Sequence, residues 1–223
     1  MRMHRKSRLD ERIEACSDIV TVADMTEKNM KRAADMPDFL PLSDIFGNDN
    51  PVHLEIGCGK GKFVCELAEM HPEINFVAVE KISNVLIEAL ERAKAEKLKN
   101  VYFLNCAAEV LAKYFREGEV SRIYLNFSNP LPKEGYKKQR LTHPRFLGIY
   151  ARLLKDGGEI IQKTDDGNFY KFSLENYAQS GFEITYTCED LAAHPVAGDV
   201  ETEHEKLFKE RGKPIYRIVA VKK

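Results

Sequence analysis

The sequence predicts an α/β protein with a doubly wound, mostly parallel sheet and helices on both of its faces. Two observations predict this fold class. From residue 51 onward, strand-like segments alternate along the chain with amphipathic helical segments. The first strand also runs directly into a glycine-rich turn at residues 57–61, where sheets of this kind bind ligands. A chain of 223 residues, 43% hydrophobic and 31% charged, has the size of one domain with a short appendage.

The first strand, turn and helix follow one another over residues 52–70. Apolar and polar residues alternate from Val52 to Ile56, which predicts a strand. The sequence Gly-Cys-Gly-Lys-Gly follows at 57–61. Apolar residues at helical spacing then extend from Phe63 to Met70, and a proline stops the pattern shortly afterwards.

The later elements repeat this unit and bring the predicted sheet to seven strands. Helices are predicted over 82–96, 143–154 and 169–179, where apolar residues recur at helical spacing. The remaining strands are predicted at Phe76–Val79, Val101–Cys106, Arg122–Phe127, Glu159–Lys163, Phe182–Thr187 and Ile215–Val221. No long helical pattern separates the last two strands, so we expect one of them to be antiparallel.

The first 50 residues differ in composition from the rest of the chain. They are polar and hold too few apolar residues to bury a core of their own. We therefore expect an N-terminal arm, partly flexible, at residues 1–50 and a single domain at 51–223.

Charge and cysteine content exclude several classes of protein. Lys and Arg number 34 against 35 Asp and Glu, so a net charge of −1 excludes nucleic-acid binding through bulk charge and requires a local patch. The five cysteines show no CxxC spacing and the six histidines no paired-ligand spacing, so we expect no metal and no disulfide framework. Charged residues follow the basic start, and no apolar run reaches roughly 18 residues, which favours a cytoplasmic location.

Charge around the glycine turn indicates a cationic cofactor. A dinucleotide-binding turn has the spacing GxGxxG and presents backbone N–H groups to a pyrophosphate. Here the spacing is GxGxG, with Gly57, Gly59 and Gly61, and Glu55 precedes it. A carboxylate at this position suits S-adenosylmethionine, which carries sulfonium and ammonium charges and no phosphate. A tight turn of purely structural role is the alternative for the glycines.

Two further strand ends could hold an adenosine. Glu80 ends the second strand, where an acidic side chain can accept hydrogen bonds from both ribose hydroxyls. A solvated glutamate is the alternative. Asn105, or the backbone beside it, ends the third strand and is the candidate partner of the adenine.

The segment after the fourth strand combines a stiff loop with positive charge. Two prolines within Asn129-Pro130-Leu131-Pro132 stiffen the loop, which is useful where a reacting group must be held in place. From residue 133 to 145, five Lys or Arg face one Glu. We expect these cations to contact phosphates, the alternative being a solvated basic face. They are Lys133, Lys137, Lys138, Arg140 and Arg145.

These segments together resemble the bacterial tRNA (guanine-N7)-methyltransferases. The matching stretches are the basic MRM start, EIGCGKGKF at 55–63, AVE at 78–80, YLNFSNPLPK at 124–133, KKQRLTHPRF at 137–146, KTDD at 163–166 and TEHEKLFKERGKPIYR at 202–217. The resemblance implies the class I methyltransferase (Rossmann-like) fold with seven strands, the last antiparallel. It also implies methyl transfer from S-adenosyl-L-methionine to the variable-loop guanine at tRNA position 46.

The same resemblance implies roles for individual residues. Its cofactor contacts fall on Glu55, Glu80, Ala107 and Asn129. Its guanine or tRNA contacts fall on Lys133, Asp165, Thr202, Glu203, His204 and Glu205. The sequence departs from the family pattern NFSDPWPK, because Asn129 replaces an Asp and Leu131 a Trp; Ala107 replaces another Asp, and His204 replaces a Tyr.

Asn129 is the candidate catalytic residue. Guanine N7 carries an unprotonated lone pair, so the reaction needs alignment rather than a general base. An amide oxygen at 129 can accept the hydrogen bond that an aspartate would accept, from the guanine or from the cofactor ammonium. We expect the bond to be weaker and turnover slower, because the charge assistance is lost.

Two segments have a structural alternative or a second role. Thr202 with Glu205 three residues later matches a capping box at a helix start, and this is compatible with base contact. In the N-terminal arm, a second, flexible tRNA contact is expected from Arg2, Arg5, Lys6, Arg8 and Arg12.

Two rival functions remain open from the sequence. The stretch Asn129-Pro130-Leu131-Pro132 is similar to the [DN]PPY signature of amino-group methyltransferases, although no aromatic residue follows. The replaced aspartates would also suit a tRNA-binding protein whose catalysis has decayed. Mapping the methylated nucleoside distinguishes these functions.

Overall fold

The computed structural model describes residues 4–23 and 36–223. The helices are α1 (Leu9–Glu14), α2 (Leu42–Phe46), α3 (Lys62–Met70), α4 (Ser83–Ala95), α5 (Leu111–Tyr114), α6 (Pro144–Leu153), α7 (Gly167–Gln179) and α8 (Glu203–Glu210). The strands are β1 (Val20–Val22), β2 (Val52–Ile56), β3 (Asn75–Val79), β4 (Val101–Asn105), β5 (Val120–Asn126), β6 (Leu154–Thr164), β7 (Phe182–Cys188) and β8 (Tyr216–Lys222). Short 3₁₀ turns occupy Ala108–Val110 and Glu134–Gln139.

The described strands form one sheet in the order β1-β4-β3-β2-β5-β6-β8-β7. The pairs from β1 to β6 are parallel, and β8 runs antiparallel to both β6 and β7. The predicted doubly wound sheet with an antiparallel last strand is therefore confirmed. The chain order reverses at β2, which lies between β3 and β5, and this switch point is where ligands bind in such sheets.

Both faces of the sheet are covered by apolar layers. In β3, Phe76 and Ala78 face the layer under α3 and α4, while Val77 and Val79 face the layer under α6 and α7. Each of the four is at most 1% exposed, so β3 reads as a continuous apolar run. Burial on both faces fixes the strand ends relative to one another, and with them the side chains at those ends.

The sheet has eight strands among the described residues, where the sequence predicts seven. The additional strand, β1, lies in the N-terminal arm and pairs in parallel with β4, Val20 opposite Phe103. Three residues are too few to show an alternation pattern, so the sequence does not indicate this strand. Leu9 of α1 and Cys16 are buried in the layer under α4, and the described part of the arm is therefore packed onto the domain. The boundary at residue 50 stays a prediction.

Helix α8 lies between β7 and β8, where the sequence shows no long helical pattern. It has eight residues, and Thr202 caps its N-terminus by accepting a hydrogen bond from the Glu205 N–H at 3.0 Å. The other predicted helices agree with the structure to within one or two residues. No helix in the described part of the chain combines the length and apolar character needed to cross a bilayer.

Candidate active site

A cavity of about 330 Å³ opens at the carboxyl ends of β2, β3, β4 and β5. The glycine turn, Glu80 and the loop after β5 meet there, as the predicted switch point requires. Its wall is formed by Ile56, Gly57, Val79, Glu80, Lys81, Cys106, Ala107, Ala108, Glu109, Asn126, Phe127, Ser128, Asn129, Leu131, Gln139, Leu141 and Phe146. The structure thus brings Gly57, Glu80, Ala107 and Asn129 to one wall.

Glu55 is a buried carboxyl group beside this cavity. It is 4% exposed, and its Oε1 accepts a hydrogen bond from Asn126 Nδ2 at 3.1 Å. Burial raises the pKa of Glu55 to about 7, and the charge of Glu80 acts in the same direction. A cation bound beside Glu55 would relieve this unfavourable burial of negative charge.

Three buried oxygen atoms at this point have no hydrogen-bond partner. They are Glu55 Oε2, Asn126 Oδ1 and Ser128 Oγ. Asn126 and Ser128 line the cavity, and Asn126 is bonded to Glu55. Unpartnered buried acceptors are unfavourable, so they indicate a donor supplied by a ligand. An ammonium group carries three N–H donors and a positive charge, and the amino group of S-adenosylmethionine fits this set.

The glycines of the turn have different tasks. Gly57 has φ +86°, and a Cβ built there meets no atom within 4 Å, so the missing side chain leaves room for a ligand. At Gly61 a Cβ would lie 2.6 Å from Ala89 Cβ, so this glycine allows α3 and α4 to pack. Gly59 donates its N–H to Glu80 Oε2 at 3.3 Å.

Burial raises the pKa of the Cys58 thiol well above its usual value, which excludes a reactive thiolate.

Glu80 is held in place by the backbone. Gly59 N–H bonds Oε2, and Ile82 N–H bonds Oε1 at 2.8 Å. Each oxygen keeps a further lone pair, so the carboxylate can accept two hydroxyl groups from the cavity.

Asn105 lies beside Glu80, and its expected contact with the adenine stays a prediction. Its Nδ2 donates to the Glu80 carbonyl at 2.7 Å, and its Oδ1 accepts from Ser83 Oγ at 2.7 Å. Both ends of the amide are therefore occupied, and Asn105 does not reach the cavity wall, which is formed instead by residues 106–109. It supports Glu80 from behind.

The loop after β5 has an unusual backbone. Phe127 and Leu131 have φ values of +48° and +46°, in the left-handed region that side chains rarely adopt. Between them, Asn129 Oδ1 accepts the Leu131 N–H at 3.1 Å. Strain of this kind persists only where the surroundings impose it, and it is concentrated at functional sites.

Arg140 supplies part of that constraint. Its Nη2 and Nε donate to the Leu131 carbonyl at 3.2 and 3.4 Å, and its guanidinium lies 4.5 Å from the Phe172 ring centroid. Two of its nitrogen atoms thus bond the protein, and the expected phosphate contact of Arg140 stays a prediction. It clamps the loop that holds Asn129.

The other four cations of the basic segment differ in availability. Lys137 pairs with Glu134, and Arg145 pairs with Glu109. Lys133 and Lys138 are exposed, and no ion pair to either is found among the described residues. These two are the side chains most open to a phosphate.

The run Thr202–Glu205 divides into buried and exposed members. Thr202, the cap of α8, is 5% exposed and Glu205 is 2% exposed. The Glu205 carboxylate pairs with Lys163 at 2.9 Å and with Lys209 at 3.1 Å. Both of its oxygens therefore have protein partners, and the expected contact of Glu205 with the guanine stays a prediction.

Glu203 and His204 are exposed and remain available to a substrate. The His204 ring stacks on Phe127 with centroids 5.7 Å apart, which places the start of α8 against the loop after β5. Asp165, after β6, is 27% exposed at its side chain and lies 3.8 Å from Lys213.

The described cations of the N-terminal arm are paired. Arg5 pairs with Asp10, Arg8 with Glu11, Lys6 with Glu88 and Arg12 with Glu91. Arg2 lies outside the described residues. Two of these carboxylates, Glu88 and Glu91, lie on α4, and the expected flexible tRNA contact of the arm stays a prediction.

The sequence did not indicate several residues of the site. Asn126, Ser128 and Gln139 line the cavity, and Lys163 forms a buried ion pair behind it. The nearest sequence signal for Lys163 is that it closely follows the apolar pair Ile160-Ile161 in β6. Gln139 comes from a sequence-distant 3₁₀ turn, and its position could not be inferred from periodicity.

Comparison with known proteins identifies relatives of this chain. Residues 49–218 match the family model described as "Putative methyltransferase". The tRNA (guanine-N(7)-)-methyltransferase of Geobacillus thermodenitrificans (strain NG80-2) is 44% identical over 80% of this chain and 83% of its own length. The enzyme of the same name from Listeria monocytogenes serotype 4b (strain F2365) is 43% identical over 79% and 83%.

Solved structures show the fold. The 16S rRNA methyltransferase KamB aligns with a TM-score of 0.60 at 15% identity, covering 89% of this chain and 94% of its own. A phosphoethanolamine N-methyltransferase 2 from Haemonchus contortus, solved with S-adenosyl-L-methionine, aligns with a TM-score of 0.53 at 16% identity, covering 78% and 49%. These likenesses establish the class I methyltransferase fold. With the sequence relatives, they show that this chain belongs to the tRNA (guanine-N7)-methyltransferase family.

Proposed function

We propose that this chain methylates N7 of the variable-loop guanine at position 46 of tRNA, with S-adenosyl-L-methionine as methyl donor. The observation that carries the proposal is the set of three unpartnered buried acceptors, including Glu55 Oε2, beside a strained loop at the switch point of the sheet. The names of the relatives support the tRNA substrate.

The residues that would hold the cofactor follow from the cavity wall. Glu55, Asn126 and Ser128 present acceptors to the ammonium group, and Glu80 presents lone pairs to the ribose hydroxyls. The Gly57 backbone and residues 106–109 form the remaining wall, with Ala107 among them. When bound, the cofactor supplies an electrophilic methyl group on a sulfonium sulfur.

No side chain has to remove a proton in this reaction. The N7 lone pair of guanine is unprotonated and would accept the methyl group supplied by the bound cofactor without a general base. The protein must align N7 with the methyl group and the sulfur and exclude water. Asn129 holds the base or the cofactor through its amide, and the Arg140 clamp fixes the loop that carries it.

The substrate side is formed by exposed residues around the cavity mouth. Lys133 and Lys138 are open to phosphates, and Asp165, Glu203 and His204 are the polar groups open to the base. No group of three or more His, Cys, Asp or Glu in the described residues could hold a metal ion, and the proposed reaction needs none. We place the protein in the cytoplasm, where tRNA and the cofactor are present.

Product mapping tests the proposal. The purified protein is incubated with methyl-labelled S-adenosylmethionine and unmodified tRNA, and the nucleosides are separated after digestion. Labelled 7-methylguanosine is expected, and none when position 46 of the tRNA is changed to adenine. A methylated exocyclic amine, or no labelled nucleoside from tRNA, would contradict the proposal.

A further inference from the structure

Lys163 is a buried cation that has no role in the proposed methyl transfer. Its side chain is 1% exposed. Its ammonium group donates to the Val200 carbonyl at 3.0 Å and lies 2.6 Å from Asp199 Oδ2 and 2.9 Å from Glu205 Oε2. The three acceptors match the three N–H donors of an ammonium, so the group is fully satisfied within the protein.

The main chain of the same residue holds the loop after β5. Lys163 lies opposite Asn126 in the pairing of β5 with β6, and its carbonyl accepts the Phe127 N–H at 2.9 Å. Phe127 is the first residue of the strained loop and lines the cavity. Lys163 therefore joins this loop, through its backbone, to the segment 199–205, through its side chain.

Helix α8 is docked mainly by charge, with Phe208 as its apolar contact to the cluster of Cys188, Leu191 and Ile215. All eight of its residues are described, and the single buried one is Glu205. Leu207 is 38% exposed, so the helix buries little apolar surface. Lys62 of α3 also donates a hydrogen bond to the carbonyl of Glu201, just before α8, at 2.9 Å. A buried ion pair adds little net stability compared with an apolar pair. Removing one partner alone is costly, however, so the pair favours one position of the helix.

Helix α8 contacts the loop after β5 through aromatic rings. The Phe127 ring is stacked on His204 and lies 5.6 Å from the Phe208 centroid. Asn129 follows Phe127 by two residues on a backbone with little freedom. A displacement of α8 thus changes the position of Phe127, and through it the position of the amide at 129.

The geometry points to Lys163 and Glu205 as a positioning pair that locks α8 against the loop after β5, so that Glu205 acts through Lys163 and not on the guanine. This inference rests on the proposed function. Neither residue touches the substrate. A displacement of about 1 Å at a reacting centre can lower the rate about a hundredfold, so we expect the pair to affect turnover more than cofactor binding.

Rescue by an uncharged pair tests the inference. Glu205→Leu removes one of the three acceptors of the Lys163 ammonium, and Lys163→Met leaves Glu205 with Lys209 alone. Each variant should lower kcat at least about tenfold and change the Kd for S-adenosylmethionine much less. The double variant restores an apolar contact, and Asp199, 14% exposed, keeps water as a partner. We expect its kcat to return to within about threefold of the wild type. A smaller recovery would overturn the inference, because Glu205 would then act on the substrate itself.

Amide hydrogen exchange gives a second readout. Exchange over residues 204–210 should be at least about tenfold faster in either single variant and near the wild-type rate in the double variant. Glu210→Gln is the matched control, since it removes an exposed charge from the same helix and should change neither exchange nor kcat. Unchanged exchange in the single variants would refute the positioning role.

The design also covers two complications. If Glu205→Leu does not fold, Asp199→Asn replaces it: faster α8 exchange with lower kcat supports the pair, and no change in both overturns it. If wild-type protein makes no 7-methylguanosine, the proposed function fails, whereas the exchange measurement still tests whether the pair holds α8.

Discussion

Replacing Glu55 by glutamine should stabilise the cofactor-free protein in alkaline solution. Glu55 has an ordinary pKa of 4.5, and burial raises it to about 7 in the folded state. The folded chain therefore binds this proton more tightly than the unfolded chain. Its free energy of unfolding falls as the pH rises from about 4.5 to about 7 and stays level above that range. Glu55→Gln lacks the ionisable group and avoids the fall.

The magnitude follows from the shift of about 2.5 pKa units. Between pH 5 and pH 8 the contribution of Glu55 to unfolding free energy should decrease by about 2.5 kcal/mol. Urea unfolding of wild type and variant at both pH values measures this difference. The exposed Glu117→Gln is the control, and it should leave the pH dependence unchanged.

The same substitution should weaken cofactor binding. Loss of a charge-assisted bond to the ammonium group costs about 1.5–3 kcal/mol, or roughly 10- to 100-fold in Kd. Calorimetry at pH 6 in two buffers of different ionisation enthalpy should also show release of close to one proton on binding to wild type and none on binding to the variant. Equal pH dependence of stability in the two proteins, or an unchanged Kd, would refute the reasoning.

Three further outcomes follow from the structure. Burial lowers the pKa of His53 to about 3, so the free energy of unfolding of the wild type should fall as the pH drops below about 6.5. The fall should be about 3 kcal/mol between pH 7 and pH 4, and urea unfolding of His53→Gln should not show it. Under single-turnover conditions, Asn129→Asp should raise the rate constant of methyl transfer about fivefold, because it restores a charge-assisted bond. A lower rate constant would show that the amide donor is needed. Lys138→Gln should reduce the slope of tRNA affinity against salt by about one charge, whereas Arg140→Gln should lower kcat with that slope unchanged.

Sequence patterns predicted seven of the eight described strands and the edge of the sheet at which the cavity opens. The run Val52–Ile56 leading into the glycine turn placed β2, and Glu80 at the end of β3 lies on the cavity wall as expected. These inferences work because parallel strands align their carboxyl ends, so residues far apart in the chain meet at one edge.

Contacts made by long side chains could not be predicted in the same way. The position of Arg140 in a basic segment says nothing about whether its donors face solvent or the Leu131 carbonyl. Glu205 sits in a polar run, yet its rotamer directs it to Lys163 inside the protein. Such choices depend on the distance to partners in other elements, and spacing along the chain does not contain that distance.

The parallel pairing of β1 with β4 also has a consequence for biosynthesis. Val20 lies opposite Phe103, 103 − 20 = 83 residues later in the chain. At a translation rate of about 5–20 residues per second, the arm leaves the ribosome roughly 4–17 s before its partner strand exists. During that interval Val20–Val22 has no edge to join. Val20–Val22 is therefore synthesised before β4 but joins the sheet only after β4 exists, and removing it would leave the edge of β4 uncovered.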